Sequence, residues 1–256
     1  MKKDEKGEEM ESWMKRLAKQ HRIGRGLYPE DRLMVIFDID DTILDLRHMI
    51  LYVLSSFDEH HRTGFFRNIT VADIDAHEIE VLRMMRDLGL AEPDLIRVSK
   101  WFEEHSWSAP VVRDGHHPFP GVVEVIAWLQ ARERTHVGLN TGRPETMRKE
   151  TLHCLNRIGR PHGAVFHDRL LFMNPWGWGE RITESKVEGI SHFQHAGFRI
   201  LAFVDNEPAN LQAVAEFDRN GEILLLHADT VYTSGREQVP KHAVSGRVYD
   251  LGSLAA

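Results

Sequence analysis

The chain has 256 residues, of which 42% are hydrophobic and 28% charged, and its formal net charge is −7. This length allows one large domain or two modest ones, and the composition excludes a disordered or collagen-like chain. The mildly negative charge gives no general attraction to nucleic acid or to anionic membranes, so neither is expected as a partner.

The single cysteine, Cys154, cannot form an internal disulfide or a cysteine-rich zinc site, and we expect it to be a small buried side chain. The sequence contains no apolar run near the roughly 20 residues that a membrane helix needs. The N-terminus alternates acidic and basic residues and lacks the apolar core of a signal peptide. We therefore expect a cytoplasmic protein whose residues 1–30 form a solvated helical arm.

Short apolar runs from residue 31 onward predict four strands, at residues 33–37, 137–139, 199–204 and 222–226. Continuous runs of this kind are typical of strands that are covered on both faces, as in a parallel sheet. Helical periods lie between these predicted strands, at residues 121–133, 144–158, 186–196 and 208–219. The alternation predicts an α/β fold with a parallel sheet flanked by helices on both faces.

The stretch from residue 46 to residue 117 breaks this alternation, because it contains helical periods and no convincing strand. The expected helices cover residues 47–61, 71–88 and 93–105, and the second follows a possible N-cap at Thr70. Its predicted apolar face consists of Ile74, Val81, Leu82, Met85 and Leu88. We expect an inserted all-helical unit at residues 46–117 and an α/β core made of residues 31–45 and 118–256.

Three carboxylates crowd the end of the first predicted strand, in the segment Asp38-Ile-Asp40-Asp41-Thr42. Carboxylates this close repel one another, and burying them is costly unless a cation compensates the charge. Mg²⁺ is the expected cation because it prefers oxygen ligands. The alternative is a polar turn in which Asp41 or Thr42 caps the next helix.

Polar residues also follow the second and third predicted strands. Thr141-Gly142-Arg143 follows residues 137–139, and we expect these residues to combine a hydroxyl, a tight turn and free helix N–H groups in an anion-binding loop. Asp205 follows residues 199–204, and Lys186 is expected in the first turn of its own helix. Ligands of open α/β sheets bind beyond the carboxyl ends of the strands, where these segments would converge.

These four segments resemble the motifs of the haloacid dehalogenase (HAD) superfamily of phosphohydrolases. Asp38-Ile-Asp40-Asp41-Thr42 is similar to its first motif, and the other three motifs correspond to Thr141, Lys186 and Asp205. The resemblance implies a Rossmann-like HAD core with the helical insertion as a C1-type cap, which closes over the substrate and excludes water.

The resemblance also implies residue roles. Asp38 would be the nucleophile that becomes an aspartyl-phosphate, and Asp40 the general acid and then the base. Phosphate binding would fall to Thr141, Gly142 and Lys186. The Mg²⁺ ligands would be Asp38, Asp205 and a main-chain carbonyl of Asp40.

This sequence departs from the family pattern at two places. The fourth motif usually has a second acidic residue, whereas here Asn206 and Asn210 are the candidates, either as metal ligands or through water. Asp41 stands where many relatives carry glycine.

Other side chains have both a functional and a structural interpretation. Arg143 could contact a second anionic group of the substrate, or it could cap a helix or pair at the surface. Trp176 and Trp178 could form a wall of the substrate pocket that stacks on a ring, or they could pack against the core. The histidine pairs 60–61 and 116–117 lack partners at zinc-site spacing and are interpreted as surface or hinge residues.

These observations predict a Mg²⁺-dependent phosphatase that acts on a small phosphorylated metabolite. One alternative keeps the fold but acts on a polynucleotide end or a phosphoprotein. Another is a non-catalytic binding protein of the same fold.

Overall fold

The computed structural model describes residues 12–75, 81–230 and 239–255. Its strands are β1 Arg32–Phe37, β2 Leu44–Asp45, β3 His117–Pro118, β4 Thr135–Pro144, β5 Leu171–Asn174, β6 Phe198–Asp205, β7 Leu224–Ala228 and β8 Val244–Gly246. Six of them form one sheet in the order β5-β4-β1-β6-β7-β8, and every pair in it is parallel. The other two, β2 and β3, form a separate antiparallel ribbon.

The described helices are α1 Trp13–Leu27, α2 Leu46–His61, α3 Val81–Asp87, α4 Glu92–His105, α5 Ala109–Asp114, α6 Val122–Gln130, α7 Arg148–Gly159, α8 Ile182–His195, α9 Pro208–Phe217 and α10 Leu251–Ala255. None of them combines the length and the apolar character that crossing a membrane requires.

The central strand β1 explains why helices cover both faces of the sheet. Residues 33–37 are all 0% exposed, and successive side chains of a strand point to opposite faces. Leu33, Val35 and Phe37 belong to the apolar cluster that also includes residues of α1, α6 and α7. Met34 and Ile36 belong to the cluster on the other face, with residues of α8 and α9. The predicted α/β fold is therefore confirmed.

Several predicted boundaries are wrong. β4 continues to Pro144 and a 3-10 turn covers Glu145–Met147, so α7 begins at Arg148 rather than at residue 144. α8 begins at Ile182, so Lys186 lies in its second turn. β7 begins at Leu224 because the backbone N–H of Ile223 is held by the Asp218 carboxylate, 2.6 Å away. Two strands of the sheet, β5 and β8, were not predicted.

The described part of the N-terminal arm is helical but not solvated. α1 buries Trp13, Met14 and Leu17 in the apolar cluster beside β1, and it packs against α10 and the strands β6, β7 and β8. Its apolar residues recur at helical spacing between charged ones, and this pattern is also that of a packed amphipathic helix. Residues 1–11 lie outside the described residues.

The stretch between β2 and β3 is helical, and the described residues 46–75 and 81–116 contain no strand. Residues of α2, α3, α4 and α5 share an apolar cluster separate from the two clusters of the sheet. The predicted helix 71–88 is interrupted, because a 3-10 turn at Val71–Asp73 ends at Ile74 in an extended conformation. Thr70 does cap that turn, reciprocally with Asp73. Residues 76–80 of the predicted helix lie outside the described residues. The division of the chain into a core and a cap stays a prediction.

Candidate active site

Two buried carboxylates lie side by side at the carboxyl ends of adjacent strands. Asp38 follows β1 directly, and Asp205 is the last residue of β6. The strands pair with Phe37 opposite Val204, and the backbone N–H of Asp38 donates to the Val204 carbonyl over 2.8 Å. Asp38 is 5% exposed and Asp205 is 0% exposed.

The Lys186 ammonium is the cation between these carboxylates. It donates to Asp38, its nitrogen is 2.9 Å from an oxygen of Asp205, and it donates to the Asn140 carbonyl over 2.8 Å. The Asn140 amide donates in return to the Lys186 carbonyl over 2.7 Å. A Cβ atom on Gly189 would lie 2.4 Å from the Asn140 amide nitrogen, so only glycine lets α8 approach this closely. The sequence therefore brings Lys186 to the sheet through Asn140 and Gly189.

This group of charges contains more acid than base. The pKa of Asp38 is raised to about 7, chiefly by burial and also by the neighbouring carboxylates of Asp205 and Asp40, against the attraction of Lys186. Burial acts to lower the pKa of Lys186, but Asp205 and Asp38 together raise it above its ordinary value. One ammonium thus contacts two carboxylates. Negative charge remains uncompensated when both are ionised, so the site can accept an additional cation.

Asp40 is paired with an arginine from the neighbouring strand β4. Its carboxylate accepts two hydrogen bonds from Arg143, over 2.8 Å from Nε and 2.5 Å from Nη2. The Arg143 side chain is 0% exposed and the Asp40 side chain is 23% exposed. Burial acts to raise the pKa of Asp40, but Arg143 outweighs it, so the pKa lies below its ordinary value. Asp40 is therefore held in its ionised form.

A buried histidine fixes the other side of Arg143. The Arg143 Nη2 atom lies 3.1 Å from His116 Nε2, and Nη1 donates to the Thr151 hydroxyl over 3.1 Å. Arginine only donates and the Val111 carbonyl only accepts, so His116 carries its proton on Nδ1, which lies 3.2 Å from that carbonyl. Burial and the Arg143 charge lower the pKa of His116 to about 3. The imidazole is therefore neutral.

Thr141 lies at the same end of the sheet but inside β4, paired with Met173 of β5. It is 1% exposed, and its hydroxyl accepts from the Arg143 backbone N–H over 3.2 Å. Gly142 is also in the strand, beside Ile182. The prediction of free helix N–H groups next to Gly142 is wrong, because the following helix begins only at Arg148.

Asparagines orient Asp205 and the loop after β1. Asn210 donates through its amide to both oxygens of Asp205, over 3.0 and 3.1 Å, and the Glu207 backbone N–H donates to the first of them over 2.8 Å. The Asn206 side-chain oxygen accepts from the Thr42 hydroxyl over 3.3 Å. Asn210 therefore presents nitrogen, not oxygen, to Asp205.

Comparison with solved structures identifies the fold. A protein provisionally named a phosphatase, from Clostridium difficile, matches with a TM-score of 0.54 at 11% identity, over 89% of this chain and 100% of that one. A provisionally named phosphoglycolate phosphatase from Lactobacillus delbrueckii subsp. bulgaricus matches with a TM-score of 0.53 at 15% identity, over 88% and 98%. A HAD-superfamily hydrolase of subfamily IA, variant 1, from Geobacter sulfurreducens matches with a TM-score of 0.50 at 14% identity, over 85% and 92%.

The chain has the HAD fold. No protein-family model matches the sequence, and no curated protein matches it. At these identities the comparisons establish the fold alone. The predicted resemblance to the HAD superfamily is confirmed at that level.

In this HAD fold, C-terminal residues support the loop that carries Asp38 and Asp40. The buried Tyr249 hydroxyl donates to the Thr42 carbonyl over 2.8 Å, and the Thr230 hydroxyl donates to the Asp41 carbonyl. Asp41 itself has a φ of 51°, a left-handed conformation that aspartate tolerates better than most residues. On its other side the Tyr249 ring contacts Trp13 of α1, with ring centres 4.7 Å apart. The N-terminal helix thus supports the loop through Tyr249.

Three tryptophans lie on the Arg143 side of the site. The Arg143 guanidinium is 5.2 Å from the ring centre of Trp107, which belongs to the connection between α4 and α5. Trp107 contacts Trp178, with ring centres 4.6 Å apart, and Arg181 lies 4.2 Å from the ring centre of Trp176. Trp107 packs against both the insertion and the sheet.

The fold thus brings Asp38, Lys186 and Asp205 together as predicted, with Asp40 and Thr141 at the same end of the sheet. Arg143 is buried against Asp40 rather than exposed. No local pattern indicates the partners of Arg143, and the interpretation of His116 as a surface or hinge residue is wrong about its exposure, because its side chain is buried against Arg143. Cys154 is buried, as expected. The other polar and aromatic residues of the site that were missed are Asn140, Thr151, Trp107 and Tyr249.

Proposed function

We propose that this chain is a Mg²⁺-dependent phosphatase that hydrolyses a small phosphorylated metabolite through an aspartyl-phosphate intermediate. The observation that carries the proposal is the contact of one buried ammonium, that of Lys186, with the buried carboxylates Asp38 and Asp205 at adjacent strand ends. Ligands of open α/β sheets bind at this edge. The phosphatase and hydrolase names of structures with the same fold support the same reaction.

In the proposed reaction a carboxylate oxygen of Asp38 attacks phosphorus and the bond from phosphorus to the ester oxygen breaks. The leaving oxygen takes a proton from Asp40. A water molecule then attacks the phosphorus of the aspartyl-phosphate and gives a proton to Asp40. The bond from phosphorus to the Asp38 oxygen breaks, and this releases the free Asp38 carboxylate and inorganic phosphate. Lys186 and Thr141 hold the phosphoryl oxygens, where they offset charge in the transition state.

Arg143 controls the protonation of Asp40 in this scheme. The bidentate pair favours the ionised carboxylate, whereas a general acid must carry a proton. A bound phosphate brings negative charge next to the partly exposed Asp40, whereas the Arg143 side chain is fully buried behind it. We infer that this added negative charge raises the pKa of Asp40 and prepares the carboxyl group to donate its proton.

The donor set fits a hard divalent cation, because it consists of carboxylate and carbonyl oxygens. We assign Asp38, Asp205 and the Asp40 carbonyl as ligands, and Asn210 as the residue that orients Asp205 through its amide nitrogen. In the described ranges no group of three or more His, Cys, Asp or Glu side chains is arranged to hold a metal, so the remaining ligands would be neutral or from the substrate. A bound Mg²⁺ would lower the pKa of Asp38 and keep this nucleophile ionised.

We propose a small substrate because the helical insertion, at Trp107, contacts the core at Trp178 beside Arg143. This contact restricts access from that side, which disfavours a polynucleotide end or a phosphoprotein. The cytoplasmic location of the protein remains a prediction.

Hydrolysis of p-nitrophenyl phosphate by the full chain, with Mg²⁺ or with excess EDTA, tests the proposal. We expect turnover with Mg²⁺ only, and none from Asp38→Asn. Asp168→Asn removes a carboxylate that is 71% exposed and serves as the matched control with wild-type turnover. A chain without activity toward any phosphate ester would favour the non-catalytic alternative, and full activity in EDTA would contradict the metal assignment.

A further inference from the structure

The loop after β5 exposes two tryptophans next to the candidate site. Trp176 and Trp178 are each 46% exposed, whereas the other four tryptophans of the chain are buried or half-buried. Large exposed aromatic surface is unfavourable in water and marks a binding site more often than a random surface position does.

The loop is held in one shape by Asn174, the last residue of β5. This side chain is 1% exposed, and its amide donates to the carbonyls of Gly177 and Glu180, over 2.8 Å in both cases. Its oxygen accepts from the Trp176 backbone N–H over 3.0 Å. Gly177 has a φ of 106°, a backbone conformation that residues with a side chain rarely adopt. A buried asparagine and a glycine with positive φ therefore hold this aromatic loop in one shape.

A series of contacts connects the loop to Asp40, the proposed proton donor. Asp40, the proposed proton donor to the leaving oxygen, is bound to Arg143, and Arg143 is 5.2 Å from the ring centre of Trp107. Trp107 in turn contacts Trp178 at 4.6 Å, with the ring planes 43° apart. Trp107 is half-buried between the insertion and the sheet, so it supports Trp178 from below and leaves part of the Trp178 ring exposed.

We propose that Trp178, with Trp176 beside it, binds a flat aromatic or heteroaromatic ring in the leaving group, so that the substrates are phosphate monoesters of the nucleoside monophosphate class. Indole faces stack on planar rings, and stacking of a base on an aromatic side chain strengthens binding by about 5- to 150-fold. This inference rests on the proposed function, because it takes Asp40 as the marker of the leaving-group side.

Adenosine 5′-monophosphate and ribose 5-phosphate form a matched pair for the test, because the same sugar oxygen leaves in both and only the first carries an aromatic base. The expected kcat/KM ratio of the two esters in the wild type is about tenfold or more in favour of the ring-bearing one. Trp178→Ala should bring this ratio close to one, because it should reduce adenosine 5′-monophosphate turnover much more than ribose 5-phosphate turnover. Phe217→Ala, which removes an exposed aromatic ring from the end of α9 remote from the site, should keep the wild-type ratio.

A wild-type ratio near one would overturn the inference, and so would an equal loss of both activities in Trp178→Ala. The latter result would mean that Trp178 only fastens the insertion to the core. Faster turnover of a 5′-phosphorylated oligonucleotide than of the mononucleotide would also contradict it. The affinity of the Asp38→Asn variant for each of the two esters can be measured without turnover by the quenching of tryptophan fluorescence. The ratio of the two affinities tests recognition of the base by itself, so failure of the proposed phosphatase activity is distinguished from failure of ring recognition.

Discussion

His116 is expected to make the stability of this protein depend on pH. The imidazole is 0% exposed and lies between the Arg143 guanidinium and the Val111 carbonyl. Protonation would place a second positive charge against Arg143 and would require a buried cation. Replacement with glutamine removes the titration but keeps an oxygen that can accept from Arg143 and an amide that can donate to Val111.

The magnitude follows from the two pKa values of His116. Its pKa is about 6.5 in the unfolded chain and about 3 in the folded one, because of burial and Arg143. The unfolded state therefore takes up the proton first as the pH falls, and the stabilising effect of the neutral imidazole is complete above about pH 6.5 and is lost toward pH 3. Between about pH 7.5 and about pH 5 this histidine alone should lower the free energy of unfolding by about 2 kcal/mol.

Urea unfolding of the wild type and of His116→Gln at these two pH values measures the effect. Other groups titrate equally in both proteins, so the difference between their pH dependences isolates His116. We expect the variant to lose about 2 kcal/mol less than the wild type on acidification. His153→Gln, which removes an exposed imidazole from α7, is the control and should behave like the wild type. Equal acid sensitivity in the wild type and in His116→Gln would refute the assignment of a neutral, buried His116 in the folded state.

Three further outcomes are expected. Asp40→Asn should accumulate phosphorylated Asp38 from p-nitrophenyl phosphate, seen by rapid quench and mass spectrometry, and should lose about 10²–10⁴-fold in activity toward an alkyl phosphate, whose leaving oxygen needs the proton. Asp205→Ala should raise the Mg²⁺ concentration needed for half-maximal activity more than Asn210→Ala does, and the reverse order would show that the ligand assignment is wrong. Tyr249→Phe should lower the free energy of unfolding by about 1–3 kcal/mol, because the Thr42 carbonyl loses its buried donor, and should reduce kcat more than it raises KM. Unchanged stability and kcat in Tyr249→Phe would remove this residue from the support of the nucleophile loop.

The sequence alone predicts the features that depend on local pattern. Continuous apolar runs predict the central parallel strands, because a strand covered on both faces needs apolar side chains in succession. The ends of those strands point to one edge of the sheet, so Asp38 and Asp205 could be expected to meet there with Lys186. The helical insertion is predicted for a similar reason, since helical spacing persists from residue 46 to residue 117 without a strand pattern. Helix starts were less predictable, because β4 continues through Gly142, where the sequence suggested a turn, and α8 begins at Ile182, four residues before its predicted start.

The tertiary structure decides which charges and rings meet across large separations in the chain. Arg143 pairs with Asp40 at a separation of 103 residues, and Tyr249 reaches Thr42 at a separation of 207. Local propensity contains no information on such pairs, because they form only when neighbouring strands and the chain ends are packed. The same holds for α1, whose charged residues suggested a solvated helix although its apolar residues pack in the core. The sequence thus determined the fold class and the acidic strand ends, whereas packing decided that Asp40 is ionised, that His116 is neutral and that Trp178 stands beside Trp107 at the site.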